Sequence, residues 1–344
     1  MKRKIFITLG FFIAGFFALG FISNYHSESG FTYDFSSSGQ KNRRVVFEKY
    51  FHKIGPERLI GLLEEKYPLC HNQAHDLGKV LFAETADLTT SIETCADGCS
   101  GGCFHGVLME ALKDFDPEKE NESGGHVTLN DLKEKMNSLC DDPTVNAIHR
   151  KGKCAHGIGH ALERLSDYTI ETALSHCKLF QNRMLEFYCA GGVFMEHDFV
   201  HGNAEANSKP LYYPCDTYTE FPAACYGYKT RHLIRSLGLE KLIKECISLE
   251  GAGEVGCFYG IGLYHNTAVE ENLKLLETLC SRGTTDDQYA CIHGAIGKLT
   301  EIDIEKADAA CKTILDEQRE KYCEEIARLK AYSLEPYSVN YFEN

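Results

Sequence analysis

With 344 residues, 43% of them hydrophobic and 25% charged, the chain has the composition of a globular protein long enough to bury one extended core or two domains. Its formal net charge of −14 excludes binding nucleic acid through the phosphates, which needs a basic surface. The 16 Cys and 15 His depart from ordinary usage. An even, high Cys count means disulfides or metal, and the compartment decides between them.

The N-terminus speaks to the compartment. Met1-Lys2-Arg3-Lys4 is basic, and an uninterrupted apolar run follows from Ile5 to Ile22. This is the pattern of a secretory signal peptide or an uncleaved signal-anchor. The run is at the short edge of what spans a bilayer, and Ala18-Leu19-Gly20 offers a small-x-small cleavage site, so both outcomes stay open. With positive residues ahead of the run, the remainder is expected outside the cytoplasm. The cell envelope is the expected location, with the chain membrane-anchored through residues 1–22 or released to the periplasm or exterior, where Cys pair. Residues 23–42, rich in Ser, Gly and Tyr, read as a linker. Residues 43–335 read as the folded domain and 336–344 as a C-terminal tail.

Within 43–335 the Cys fall into couples: Cys140/Cys154, Cys177/Cys189, Cys215/Cys225, Cys246/Cys257, Cys280/Cys291 and Cys311/Cys323. Their second members are 35, 36, 32, 34 and 32 residues apart, a period that signals stacked supersecondary units. The first Cys closes an amphipathic stretch with apolar spacings of three and four, as in Leu132 to Cys140, Glu171 to Cys177 and Leu273 to Cys280. After 9 to 13 residues the second Cys is expected to open another helix with Cys-x-x-Gly, seen at 103, 154, 189, 257 and 291. The unit is therefore helix A, Cys, loop, Cys, helix B. One disulfide per unit contributes on the order of 2–3 kcal/mol by loop closure. At the irregular front, Cys95 and Cys103 take the two slots, leaving Cys70 to pair with Cys99. Residues 113–127 form a polar, Gly-rich insertion, hence a surface loop. The fold class is all-α, an α/α helical-hairpin repeat array that is either a solenoid or a closed toroid.

Helix pairs of this period, cross-linked in this way, resemble the disulfide-bridged Sel1-like repeats of the secreted Helicobacter cysteine-rich proteins. The nearest stretches run from Glu245-Cys246 to Gly256-Cys257-Phe258-Tyr259-Gly260 and from Ala309-Ala310-Cys311 to Cys323. The resemblance covers most of residues 130–325 at the level of spacing, and the loops here are longer and richer in His. It implies the architecture.

Three His pairs stand four apart: His71/His75, His156/His160 and His197/His201, more than random placement of 15 His would give. On a helix, i and i+4 share one face at metal-ligand distance. His105, His156 and His293 all stand two after a repeat Cys, with Glu110 and Glu196 nearby. If the array curves closed, His105, His156, Tyr259 and His293 converge near its axis. Imidazoles with a carboxylate suit Zn, Fe or Cu. The offset-three Gly reads as a close helix contact rather than a phosphate cradle. No Cys-x-x-Cys-His occurs, so covalent haem is not expected.

Two sharper resemblances exist. Ala74-His75-Asp76-Leu77-Gly78-Lys79 resembles the HD-x-G-K string of HD phosphohydrolases, which implies metal-dependent hydrolysis through His75 and Asp76. The stretches Cys154-Ala155-His156-Gly157-Ile158-Gly159 and Cys225-Tyr226-Gly227-Tyr228 resemble the zinc toroids of lanthionine synthetase-like cyclases, although here the Cys are assigned to disulfides. Three readings result: an exported metal-binding protein, whose sharpest motif is His156/His160; a non-catalytic scaffold for a protein, peptide or glycan; and an HD-type hydrolase.

Overall fold

The computed structural model describes residues 26–67, 70–96, 98–117, 127–329 and 341, and among these it is all-helical. No described helix is long and apolar enough to cross a membrane, and the signal or anchor expected at 1–22 lies outside the described residues. All sixteen Cys are paired, in the eight couples that the spacing suggests. Their Cα–Cα distances run from 5.2 Å to 5.6 Å. Eight disulfides suit an oxidising compartment.

Where a single domain is expected, the chain divides into two compact units at Val107/Leu108. In the first, residues 26–37 form α1, followed by α2 (Arg43–Ile54), α3 (Pro56–Lys66), α4 (His71–Thr85) and α5 (Leu88–Cys95). Helix α6 (Gly102–Leu112) begins there, and the division falls within it. The linker expected at 23–42 is corrected by α1. Its Ser- and Gly-rich composition conceals Phe31 and Phe35, four apart, which are 2% and 4% exposed and pack with Phe47 and Leu63. Asp34 fixes the helix by accepting from Lys49 Nζ at 2.6 Å and from the Tyr50 hydroxyl at 2.9 Å.

The second unit contains α7 (Leu129–Cys140), α8 (Pro143–Ile148), α9 (Arg150–Leu165), α10 (Ile170–Cys177), α11 (Arg183–Glu205), α12 (Pro222–Leu237) and α13 (Leu239–Ser248). It continues with α14 (Ala252–Tyr264), α15 (Asn266–Glu271), α16 (Leu275–Leu279), α17 (Thr285–Leu299), α18 (Ile304–Cys311) and α19 (Glu317–Leu329). Residues 118–126 of the expected insertion lie outside the description. Local signals set the helix starts. Thr128 with Asp131, and Thr284 with Asp287, form capping boxes, and Asp142, Asn182 and Asp303 cap α8, α11 and α18. Helix α7 buries Leu132, Met136, Leu139 and Cys140, one stripe ending on its disulfide.

In the second unit the second Cys of a couple does not open its helix. Cys154, Cys189, Cys257 and Cys291 stand inside α9, α11, α14 and α17, because Arg150, Arg183, Ala252 and Thr285 begin those helices within the span expected as loop. Helices α7, α10, α13, α16 and α18 pack on α9, α11, α14, α17 and α19 respectively. The Cys-bearing second helices α9, α11, α12, α14, α17 and α19 pack on one another in chain order.

Glycine makes those contacts close. A Cβ on Gly192 would collide with the His156 carbonyl, one on Gly260 with that of Gly227, and one on Gly294 with that of Tyr259. In the first unit, Gly106 meets the His75 carbonyl in the same way. In each contact the offset-three Gly of one helix faces a backbone carbonyl of its neighbour about one sequence period earlier. Helices separated by no side chain exchange weak Cα–H···O contacts and cannot slide without collision. The second unit also holds a long-range tie: Lys153 of α9 pairs with Glu301, just past α17, at 3.1 Å. Burial works against the Glu301 charge, but Lys153 and Lys298 outweigh it and hold the carboxyl at about 2.

Gly192→Ala should therefore cost about 2 kcal/mol or more through overpacking, read as a lower urea midpoint with unchanged slope and intact disulfides. Gly39→Ala, where nothing lies within 4 Å of the added carbon, should stay within about 0.5 kcal/mol of the parent. Equal effects at the two sites would contradict the close-contact account.

Candidate metal centre

In the first unit, the disulfides set the starting points of two helices. Cys70, bonded to Cys99, precedes α4, and Cys103, bonded to Cys95, is the second residue of α6. Gly78, Gly102 and Gly106 then let the backbones of α4 and α6 meet, opposite Cys103, His71 and His75 respectively. His71 and His75 share one face of α4. His105 sits on α6 between two of the contact glycines, so its ring is delivered to that same face. His75 and His105 are 0% and 1% exposed, and His71 is half-buried.

The three rings form a compact set. His71 Nε2 and His105 Nδ1 are 3.2 Å apart. Ring centroids are 4.9 Å apart for His71/His75, 5.0 Å for His71/His105 and 5.9 Å for His75/His105. Each residue offers a nitrogen within 4.8 Å of the nitrogens of the other two. Imidazole nitrogens about 2.0–2.1 Å from a tetrahedral ion lie about 3.4 Å from one another, so the spacing fits a small divalent metal. Asp76 is turned to another use. Its Oδ1 accepts from Lys79 Nζ at 3.0 Å, and no carboxylate belongs to the cluster among the described residues.

In the second unit, α9 and α11 exchange two reciprocal polar contacts. His160 Nδ1 bonds Glu196 Oε2 at 2.9 Å, and His197 Nδ1 bonds Glu163 Oε1 at 2.8 Å. The Gly159 and Gly192 contacts place these four residues opposite one another. Burial opposes the charge on Glu196, but the His160 hydrogen bond and the Arg164 guanidinium hold its carboxyl at about 2. Arg164 Nε donates to its other oxygen at 2.6 Å. His156 shares a 3.2 Å hydrogen bond with the Tyr188 carbonyl through Nδ1, and its Nε2 lies 3.2 Å from His160 Nε2. His156 and His160 thus face each other as expected, with Glu196 orienting one of them in the manner of a carboxylate behind a histidine ligand.

Other expected ligands are engaged differently. His197 has both nitrogens on carboxylates, Glu163 at 2.8 Å and Glu205 at 3.0 Å, and so presents no ligand atom. His201 packs beside it, with centroids 4.9 Å apart, and against Tyr168. Glu110 accepts from Lys113 at 2.9 Å. His293 Nδ1 meets the Tyr341 hydroxyl at 2.6 Å with Tyr259 alongside, whereas His156 stacks on Tyr228. Residue spacing did not single out Glu163, Arg164 or Tyr228. Glu163 and Arg164 stand three and four after His160, a helical offset that was available as a signal.

No family model matches the chain, and no curated protein or solved structure matches it.

The Glu163–His197–Glu205 cluster makes a pH prediction. Burial pulls the His197 pKa down, but the two carboxylates outweigh it and raise it above 6.5, while burial pushes Glu163 up. A raised histidine pKa stabilises the fold fully below the unfolded value of about 6.5, and that stability fades as pH climbs through the folded value. The wild-type advantage over His197→Gln in urea midpoint should be largest near pH 6 and smaller by pH 9. An advantage that grows with pH contradicts the assignment.

Proposed function

We propose that this is an exported, disulfide-stapled α/α-repeat protein that binds a divalent transition metal through His71, His75 and His105. The observation that carries the reading is the three-imidazole cluster, built from two helices locked together by glycine contacts and held at their starts by two disulfides. Zn²⁺, Fe²⁺ and Cu²⁺ all accept imidazole, and a buried, prearranged set favours binding because ordering costs are already met by folding.

Export is supported by sixteen paired Cys and by the basic-then-apolar segment at residues 1–22. The repeat-array reading, and with it the likeness to Sel1-like repeats, is supported by second helices that pack in chain order and by glycine contacts about one period apart. The Lys153–Glu301 pair favours the strongly curved form of such an array within residues 108–344. The hydrolase reading draws no support from Asp76, which is paired with Lys79.

Protein purified without a His tag should bind close to one Zn²⁺ per chain, by elemental analysis after desalting and by titration calorimetry. His105→Ala and His75→Ala should each weaken binding by at least about tenfold, while His197→Gln leaves it unchanged. Absence of stoichiometric metal, together with identical melting with and without chelator, would falsify the proposal.

A further inference from the structure

Tyr341 occupies a position that the repeat does not supply. It comes from beyond α19, the last described helix, yet it is 2% exposed. Its ring stacks on Phe187 with centroids 4.9 Å apart and planes at 27°. Tyr259 meets it edge-on at 6.1 Å and 87°, and His293 borders it at 5.8 Å. The hydroxyl shares a 2.6 Å hydrogen bond with His293 Nδ1. The three walls come from three helices: Phe187 of α11, Tyr259 of α14 and His293 of α17. Tyr259 and His293 both stand two after a repeat Cys, and Phe187 stands two before one. The receptor surface is thus a product of the glycine-fixed helix register, whereas its occupant is not.

We infer that these walls form a phenol-binding pocket for a tyrosine-bearing peptide, and that Tyr341 of the chain's own C-terminal segment fills it in cis. The chemistry is specific to tyrosine. A stacking face and an edge-on ring select an aromatic side chain. The imidazole at the far end selects the hydroxyl, because a buried polar nitrogen left without its partner costs the discrimination seen when a polar site meets an analogue lacking the group. Burial pushes the His293 pKa down to about 3, so the ring is neutral in any physiological medium and suits a neutral phenol rather than an anion. Beside the pocket, an open cleft of about 210 Å³ is bordered by Phe187, Phe221, Arg183 and one side of Tyr341, leaving room for residues that flank an incoming tyrosine. The surface belongs to residues other than His71, His75 and His105, so it stands or falls separately from the metal proposal.

The test uses a fluorescent peptide of residues 336–344 (Pro-Tyr-Ser-Val-Asn-Tyr-Phe-Glu-Asn) added to the full chain. Tyr341→Ala should bind it saturably, and wild type at least about tenfold more weakly, because the tethered tyrosine competes at millimolar effective concentration. Tyr341→Phe keeps the stacking and loses the hydroxyl, and it should fall between the two. The peptide with its second Tyr changed to Ala should not bind Tyr341→Ala, and Phe187→Ala in the Tyr341→Ala background should abolish binding. Equal binding by wild type and Tyr341→Ala, or binding that ignores the peptide's tyrosine, would overturn the inference. So would a Tyr341→Ala chain whose circular dichroism shows it unfolded, since an exchangeable occupant is dispensable for folding.

Discussion

The structure depends on one contact, repeated: a glycine on one helix lying against a backbone carbonyl of its neighbour. Where Gly106, Gly192, Gly260 and Gly294 make it, no side chain separates the two helices. Such a contact is stiff in translation, because a slide of one residue brings a Cβ into the carbonyl. It therefore fixes register as well as distance. The disulfides act at the same level by tying each first helix to its partner near that contact, and they limit the freedom of the unfolded chain.

Register fixed in this way also sets which side chains stand beside the contact. At Cys103, Cys189, Cys257 and Cys291 the residue two after the Cys is adjacent to a contact glycine. Two after a Cys the sequence places His105, His156, Tyr259 and His293, all nearly or fully buried. Buried polar groups are tolerated only when they find partners. The three histidines find different ones: other imidazoles for His105, Tyr188 and His160 for His156, and a phenol for His293. One backbone device thus gives chemically distinct sites, because neighbours differ while geometry is copied.

Much of this was legible in the sequence. The Cys couples and their period specify the disulfides and the helix pairing, since loop closure and a fixed repeat are local properties. His71/His75 and His156/His160 were readable as same-face pairs for the same reason. What could not be read is which separate helices meet. His105 joins His71 and His75 through the approach of α4 and α6, a tertiary fact that residue spacing does not encode. His197 looked like a ligand until Glu163 and Glu205 were placed on both of its nitrogens. Helix α1 was hidden because Ser and Gly outnumber Phe31 and Phe35, although these two carry its packing. Tyr341 gave no periodic signal, as its role depends on a pocket formed by three other helices.

The central claim is that glycine-fixed helix register assembles His71, His75 and His105 into one metal site. The most direct measurement is anomalous diffraction at the zinc edge from crystals of the Zn²⁺-loaded chain, refined without metal restraints. The account predicts one strong peak about 2.0–2.1 Å from a nitrogen of each of the three rings. A peak elsewhere, for instance between His156 and His160 alone, or no peak at full zinc loading in solution, would contradict it.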